Sequence, residues 1–342
     1  MTSLAERVAA PRDLPPLPDA LTWRALTRDD VPALTALIIA GQEADGARYR
    51  ISPEEVDEKF DGSWKDPVAN SRVGVDADGA FRAWAWVETY PADERTVRAS
   101  IEGGVHPAVR RQGIGRAVVA WLEARARQAL VETGKELPAR IAAYVDDDAP
   151  AAEKAVYERA GFTALRYYSN LRRDLTLPVP TAPLGAGLRL VPWSDDVDEA
   201  ARLAHNDAFR DHWGSEPRSP ESWAKGRATF APAWSFTIVD DTIVDDAGPF
   251  VAGYLVSGKY EQDWPVQGYT SGYTELLGVR RSHRGRGISV ALLEAAMTAY
   301  ARDGMQYAEL DVDTENPSGA HGLYASLGYE KVDGSRMYSI EL

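Results

Sequence analysis

Residues 105–118 read VHPAVRRQGIGRAV, and residues 279–292 read VRRSHRGRGISVAL. Each stretch opens on a valine, crosses a basic connector, and reaches a glycine turn that starts an apolar-periodic run. Arg110 and Arg284 stand 174 residues apart. A second pair of matches follows in the same order: Tyr157 with Gly161-Phe162, and Tyr324 with Gly328-Tyr329, the tyrosines 167 residues apart. Two matches at nearly one offset mark an internal duplication of about 170 residues. Residues 174–187, DLTLPVPTAPLGAG, hold three prolines and two glycines and read as the join. The expected organisation is a flexible leader at 1–19, one unit at 20–176, a linker at 177–185, and a second unit at 186–342. Within each unit a short strand and a capped helix precede alternating strands such as Phe81–Val87 and Phe250–Val256. The glycine turn then follows a strand ending at Val105 or Val279. This order predicts an α+β architecture, a sheet covered by helices, in each half.

The composition limits what such a chain does. Of 342 residues, 44% are hydrophobic and 26% charged, as in ordinary folded proteins. There is no cysteine, which excludes disulfides, thiolate metal sites and thiol nucleophiles, and suits a cytoplasmic location. The net charge of −14 repels phosphate backbones, so no nucleic-acid partner is expected. The longest largely apolar run, Ala33–Ala40, interrupted by Thr35, is eight residues, too short for a membrane span of about 20. His205 and His212 lack a third ligand in sequence, so no metal is expected.

The glycine turns carry the chemistry. Gly113 and Gly115 allow close approach of a ligand to the backbone, and the unpaired amides of the following helical turn attract an anion. Arg110, Arg111 and Arg116 add charge-assisted donors. The second copy offers Arg284, Gly285, Arg286, Gly287, Ile288 and Ser289. A dinucleotide fingerprint would begin directly off its strand, and a triphosphate loop would need Gly-Lys-Ser/Thr; neither pattern is present. A diphosphate carried by another cofactor fits better.

These motifs resemble those of the GCN5-related N-acetyltransferase (GNAT) superfamily, in the tandem form of actinobacterial double-GNAT enzymes. Arg110-x-x-Gly113-x-Gly115 matches the family's acetyl-CoA motif, and Arg284-x-x-Gly287-x-Ser289 matches except at the last residue. The resemblance covers nearly the whole chain. It implies two GNAT-like units, each a mixed, mostly antiparallel sheet flanked by helices, and direct transfer of acetyl from acetyl-CoA to an amine without an acyl-enzyme. It implies cofactor contacts at Val105, Arg110, Arg111, Gln112, Gly113, Ile114, Gly115, Arg116 and Tyr157. In the second copy they fall at Val279, Arg284, Gly285, Arg286, Gly287, Ile288, Ser289 and Asn316.

By the same resemblance Glu275 is the expected base and Tyr324 the expected acid. Ile101 holds the position matching Glu275, with Glu102 one residue on and facing the other way. Ala149 stands where the second copy has Asn316. Catalysis is therefore expected in the second half. The acceptor is expected to be a small cationic or amino-sugar molecule, drawn by Asp207, Asp211, Glu261 and Asp263 and walled by Trp213, Trp223, Trp234 and Trp264. A non-catalytic acyl-CoA-binding scaffold and a peptide or protein N-acetyltransferase are the alternatives. Monomer and homodimer both stay open.

Overall fold

The computed structural model describes residues 3–245, 248–315 and 319–342. In chain order the elements are α1 (Leu4–Val8), β1 (Thr22–Arg24), α2 (Val31–Asp45), α3 (Pro53–Glu58), α4 (Pro67–Asn70), β2 (Ser71–Val75), β3 (Phe81–Thr89), β4 (Val97–Val105), α5 (Ile114–Glu132), β5 (Ala139–Asp146), α6 (Ala151–Arg159) and β6 (Thr163–Asp174). They continue with β7 (Leu188–Pro192), α7 (Asp195–Ala208), α8 (Pro220–Trp223), β8 (Phe236–Asp245), β9 (Gly248–Gly258), α9 (Trp264–Gln267), β10 (Ser271–Val279), α10 (Ile288–Arg302), β11 (Tyr307–Asp313), α11 (Ala320–Ser326) and β12 (Glu330–Glu341).

Two compact units form: Met1–Tyr167 with Ser335–Leu342, and Tyr168–Gly334. The first holds the strand order β1-β2-β3-β4-β5-β12, the second β7-β8-β9-β10-β11-β6. Within each, one pair is parallel, β4 with β5 and β10 with β11, and the other pairs are antiparallel. The units are not the contiguous halves read from the sequence. β12 pairs with β5 from Ser335↔Asp146 to Glu341↔Arg140, and β6 pairs with β11 from Tyr168↔Asp313 to Asp174↔Tyr307. Each half thus gives its closing strand to the other unit. Nothing in the apolar pattern of a closing strand specifies which of two equivalent edges it joins.

Helices cover both sheet faces. The α5 side chains Ile114, Val118, Trp121, Leu122, Ala126 and Leu130 pack with Ala83, Ala85, Val87 and Ile101 of the sheet. In the second unit Ile288, Leu292, Ala296, Met297 and Tyr300 of α10 pack with Ala252, Leu255, Ala308 and Leu310. On the opposite faces, Leu34 and Leu37 of α2 meet Trp84 and Trp86, and Val197, Ala201 and Ala204 of α7 meet Tyr254. The parallel pairs are short: β4 and β5 are joined only from Val97↔Ala139 to Ser100↔Ala142, and β10 and β11 from Ser271↔Tyr307 to Thr274↔Leu310. Beyond those registers the two strands of each pair no longer pair with each other.

The N-terminal residues are not a solvated leader. Ser3 caps α1 in a capping box, and Leu4 and Val8 are buried in the first unit's core. Arg7 donates to the carbonyls of Leu342 (2.9 Å) and Leu137 (2.7 Å). One turn of helix is too short to show periodicity in sequence. Replacing Leu4 by Ala is expected to cost about 2–5 kcal/mol, read as a lowered urea midpoint; a free leader would leave the midpoint unchanged.

His205 of α7 is buried, with its Nδ1 2.6 Å from the Tyr254 hydroxyl. Burial, reinforced by the charge of Arg218, pushes its pKa down to about 3. The unfolded chain therefore binds a proton near pH 6.5 that the folded chain refuses. The stabilisation is complete above pH 6.5 and is lost as the pH falls towards 3, at up to about 1.4 kcal/mol per pH unit. His205→Gln is expected to remove this component from the acid limb of the stability curve, and the imidazole NMR signals should not titrate between pH 8 and 5.

Candidate active site

The turn after β4 is built by backbone that side chains resist. Gly113 caps α5 with φ +87°, and Arg111 adopts φ +65°. The second unit repeats both positions with glycine, Gly285 at φ +75° and Gly287 at φ +76°. A non-glycine residue held in the left-handed region costs of order 1 kcal/mol. Only the second copy shows by its residue type that the first of these positions is special. The turn delivers Ile114, buried, to the start of a 19-residue helix. The amides of that helix's first turn have no carbonyl a turn earlier to bind.

A cavity of about 800 Å³ opens under this turn in the first unit. Its walls include Val105, Gly103 and Gly104 of β4, Arg111, Gly113, Gly115 and Arg116 of the turn, and Tyr157 of α6. Gly113 has nothing within 4 Å of where a Cβ would stand, and Gly115 only Val105 Cγ2 at 3.7 Å. Gln112 is exposed in the same turn. Arg110 lines the cavity but its guanidinium is already engaged: both terminal nitrogens bind Asp45 (2.5 and 2.7 Å), and Nε binds the Val105 carbonyl (3.0 Å). It locks the connector to the end of α2. Asp45, Tyr49, Trp84, Asp146 and Glu153 also line the cavity. They come from five separate elements and loops, so no local pattern announced them; the Tyr49 hydroxyl donates to Asp146 Oδ2 at 3.0 Å.

Tyr157 is buried, edge-on to Phe162 (5.6 Å) and stacked on Tyr338 of β12 (6.1 Å). Burial raises its pKa above the usual range, and the carboxylates of Glu153 and Glu102 raise it further. Its counterpart Tyr324 is buried against Tyr329 at 5.7 Å, and burial pushes it up to about 12.

The register around β4 and β10 alters the comparison of Ile101 with Glu275. Counting back from Val105, β4 is regular: Gly104↔Trp84, Gly103↔Ala85, Glu102↔Trp86, Ile101↔Val87. Counting back from Val279, Gly278↔Tyr254, Leu277↔Leu255 and Leu276↔Val256 are followed directly by Thr274↔Ser257. Glu275 is the extra residue of a β-bulge, and Ile101 matches Thr274. A bulge re-aims side chains. Ser257 Oγ lies 2.6 Å from the Tyr300 hydroxyl of α10, so the next residue, Gly258, faces away from α10. Glu275 Oε1 sits 2.5 Å from the position a Gly258 Cβ would take, and accepts from the Tyr260 hydroxyl. Glu275 therefore lies on the face opposite α10. Glu102 lies on the corresponding face of the first unit, 2.5 Å from Lys59 Nζ. Both units present a carboxylate there.

In the second unit the basic connector braces the fold. Arg284 donates to the Ala208 carbonyl at 2.7 Å, Arg281 pairs with Asp211 at 2.6 Å, and the Arg281 amide binds Asp207. Arg286 lies 3.8 Å from Asp240. Gly287, which caps α10 ahead of Ile288 and Ser289, has Ala182 Cβ of the linker 3.6 Å from its would-be Cβ, and the Ala182 amide binds Glu294 at 3.1 Å. The residues expected to form an acceptor wall are spread out: Trp223 and Trp234 are core residues, Asp263 is buried, and Glu261 pairs with Lys259. Asn316 lies outside the described residues. Among the described residues no three His, Asp or Glu side chains gather as a metal site, and no helix is long and apolar enough to cross a membrane.

Comparison with known proteins agrees with this geometry. The acetyltransferase (GNAT) family profile matches residues 42–162 and 199–329. The mycothiol acetyltransferase of Salinispora arenicola is 32% identical over 327 residues, covering 92% of this chain and 95% of that one. A crystal structure of a GCN5-related N-acetyltransferase from Sphaerobacter thermophilus aligns with TM-score 0.69 and 26% identity, over 95% of this chain and 97% of that one. A tandem GNAT protein from the clavulanic acid biosynthesis pathway shares the fold, with TM-score 0.64 and 19% identity over 94% and 98%. Two turns of one design, each following a strand whose parallel pairing ends early and each inside a matched region, identify the chain as a tandem member of the GNAT family, an acetyltransferase.

Proposed function

We propose that the chain transfers acetyl from acetyl-CoA to an amine of a small cationic or amino-sugar acceptor, and that the first unit holds the donor. The cavity of about 800 Å³ under the Gly113 turn carries this reading. Its upper end fits a diphosphate: the α5 amides and dipole face it, Arg111 and Arg116 flank it, and no side chain stands over Gly113. Val105 and Gly115 complete that wall, with Gln112 exposed in the turn and Ile114 buried where the helix starts. Acetyl-CoA supplies an acetyl group already activated as a thioester. A chain without cysteine suits work in the reducing cytoplasm. The S. arenicola relative, named for acetyl transfer, supports acetyl as the group moved.

An alkyl amine with pKa near 10 is protonated at neutral pH and must lose a proton before it attacks. In the first unit we assign that proton to Glu102, which precedes the lining residue Gly103, pairs with Lys59 and acts electrostatically on Tyr157. Tyr157, kept protonated by burial and by Glu153 and Glu102, is the phenol placed to return one to the leaving thiol.

The second reading places transfer in the second unit, with Glu275 as base, Tyr324 as acid and Asn316 beside the donor. The bulge that sets Glu275 opposite α10 favours it. It requires acetyl-CoA at Val279, Arg284, Gly285, Arg286, Gly287, Ile288 and Ser289; Ala182 Cβ of the linker lies 3.6 Å from where a Gly287 Cβ would stand, and nothing lies within 4 Å at Gly285.

Paired variants separate the readings. A Cβ at Gly115 meets only Val105 Cγ2, at ordinary contact distance, so Gly115→Val, with its fold checked by circular dichroism, adds its bulk to the cavity wall. It is expected to remove the main calorimetric heat of acetyl-CoA binding. Glu102→Gln and Tyr157→Phe are each expected to lower kcat at least about tenfold, with Glu275→Gln and Tyr324→Phe within about twofold of wild type. The reverse pattern establishes the second reading. Absence of any binding heat, or of acetyl transfer to every amine in a panel, defeats both.

A further inference from the structure

The second unit contains a hydrogen-bonded chain of serine, histidine and aspartate that its acetyl-transfer machinery does not use. It lies in the 3₁₀ turn Arg281–His283 that links β10 to α10. Ser282 Oγ is 2.8 Å from His283 Nδ1, and His283 Nε2 is 3.0 Å from Asp240 Oδ2 of β8. Asp240 is fixed in turn by the Thr242 amide (3.0 Å) and hydroxyl (2.5 Å) at its other oxygen. Imidazole and carboxylate are both buried, while Ser282 is exposed.

The protons of this chain follow from the groups present. The Thr242 and His283 hydrogen bonds hold Asp240 ionised, down to about 2. A carboxylate only accepts, so Nε2 carries the imidazole proton. In the neutral form of the ring Nδ1 then offers a lone pair, to which the Ser282 hydroxyl donates. A neutral imidazole accepting from a solvent-facing hydroxyl, with a buried anion behind it, is the arrangement that makes a serine nucleophilic.

The turn itself does not need these residues. The first unit builds the matching 3₁₀ turn, Pro107–Val109, with Ala108 where Ser282 stands and Val109 where His283 stands. Val109 simply packs against the core. Burying an imidazole and a carboxylate in the second unit is therefore an addition to a turn that folds without them.

We propose that Ser282 is a base-activated acylation site, reacting with small activated esters and thioesters. Its Oγ bonds to the carbonyl carbon as the bond from that carbon to the leaving oxygen or sulfur breaks. The Oγ proton moves to His283 Nδ1, Asp240 balances the imidazolium, and the leaving group departs as its anion. The imidazolium then releases its proton to water, leaving an O-acyl serine. This chemistry is separate from amine acetylation and does not depend on which unit performs it.

The test is incubation of the full chain with p-nitrophenyl acetate, following p-nitrophenolate release and locating the acetyl group by peptide mass spectrometry. One acetyl per chain is expected on Ser282, and Ser282→Ala should abolish it. Asp240→Asn and His283→Gln, checked for fold by circular dichroism, should slow acylation at least tenfold. Acetyl found only on lysines or the N-terminus, or Ser282 labelled at the wild-type rate in both relay variants, overturns the proposal. Ser282 is an exposed position whose replacement by alanine perturbs little of the packing, so the wild-type and Ser282→Ala chains decide the matter even if a relay variant misfolds.

Discussion

A helix can receive an anion only if the chain entering it turns sharply enough to leave its first amides uncovered. Here that turn is made twice, by two left-handed residues separated by one, Arg111 and Gly113 or Gly285 and Gly287. The backbone then brings the end of one strand and the start of a long helix to the same point. Everything else serves this geometry. Ile114 and Ile288 anchor the helix start in the core, and Arg110 and Arg284 tie the connector to the end of the preceding α2 or α7. The short parallel pairing lets the strands separate beneath it.

The two units have kept this device and diverged around it. The first leaves the turn open above a cavity whose walls carry Tyr157, Trp84 and several carboxylates. The second brings a linker residue against Gly287, fills the face beneath α7 with Tyr254, Trp223 and His205, and adds a buried imidazole–carboxylate pair at the connector. Its bulge at Glu275 has no counterpart in β4. A duplicated fold can retain its packing in both copies while only some of the chemistry persists, because the apolar faces of α5 and α10 fix the architecture independently of the residues lining the cleft.

Much of this was legible in the chain. The repeated glycine turns, the tyrosine followed by Gly161-Phe162 or Gly328-Tyr329, and the apolar period of the two long helices are local patterns, and local backbone physics creates them. The comparison of Ile101 with Glu275 went astray because one inserted strand residue shifts every side chain after it to the other face, and a bulge leaves no mark in residue type. The role of Leu4 and Val8 was hidden for a related reason: five helical residues are too few to display an amphipathic period.

The sequence by itself determined the duplication, the turns, the helices that follow them and the family to which they belong, since each rests on contacts within a few residues. Only the tertiary structure decided which strand closes which sheet, which carboxylates share a cleft, and which linker residue lies beside the second turn. Those outcomes depend on groups far apart in the chain, such as Asp45 with Arg110, Tyr338 with Tyr157, and Ala182 with Gly287. Such pairs are selected by the shape and burial of the assembled core, which no local run of residues encodes.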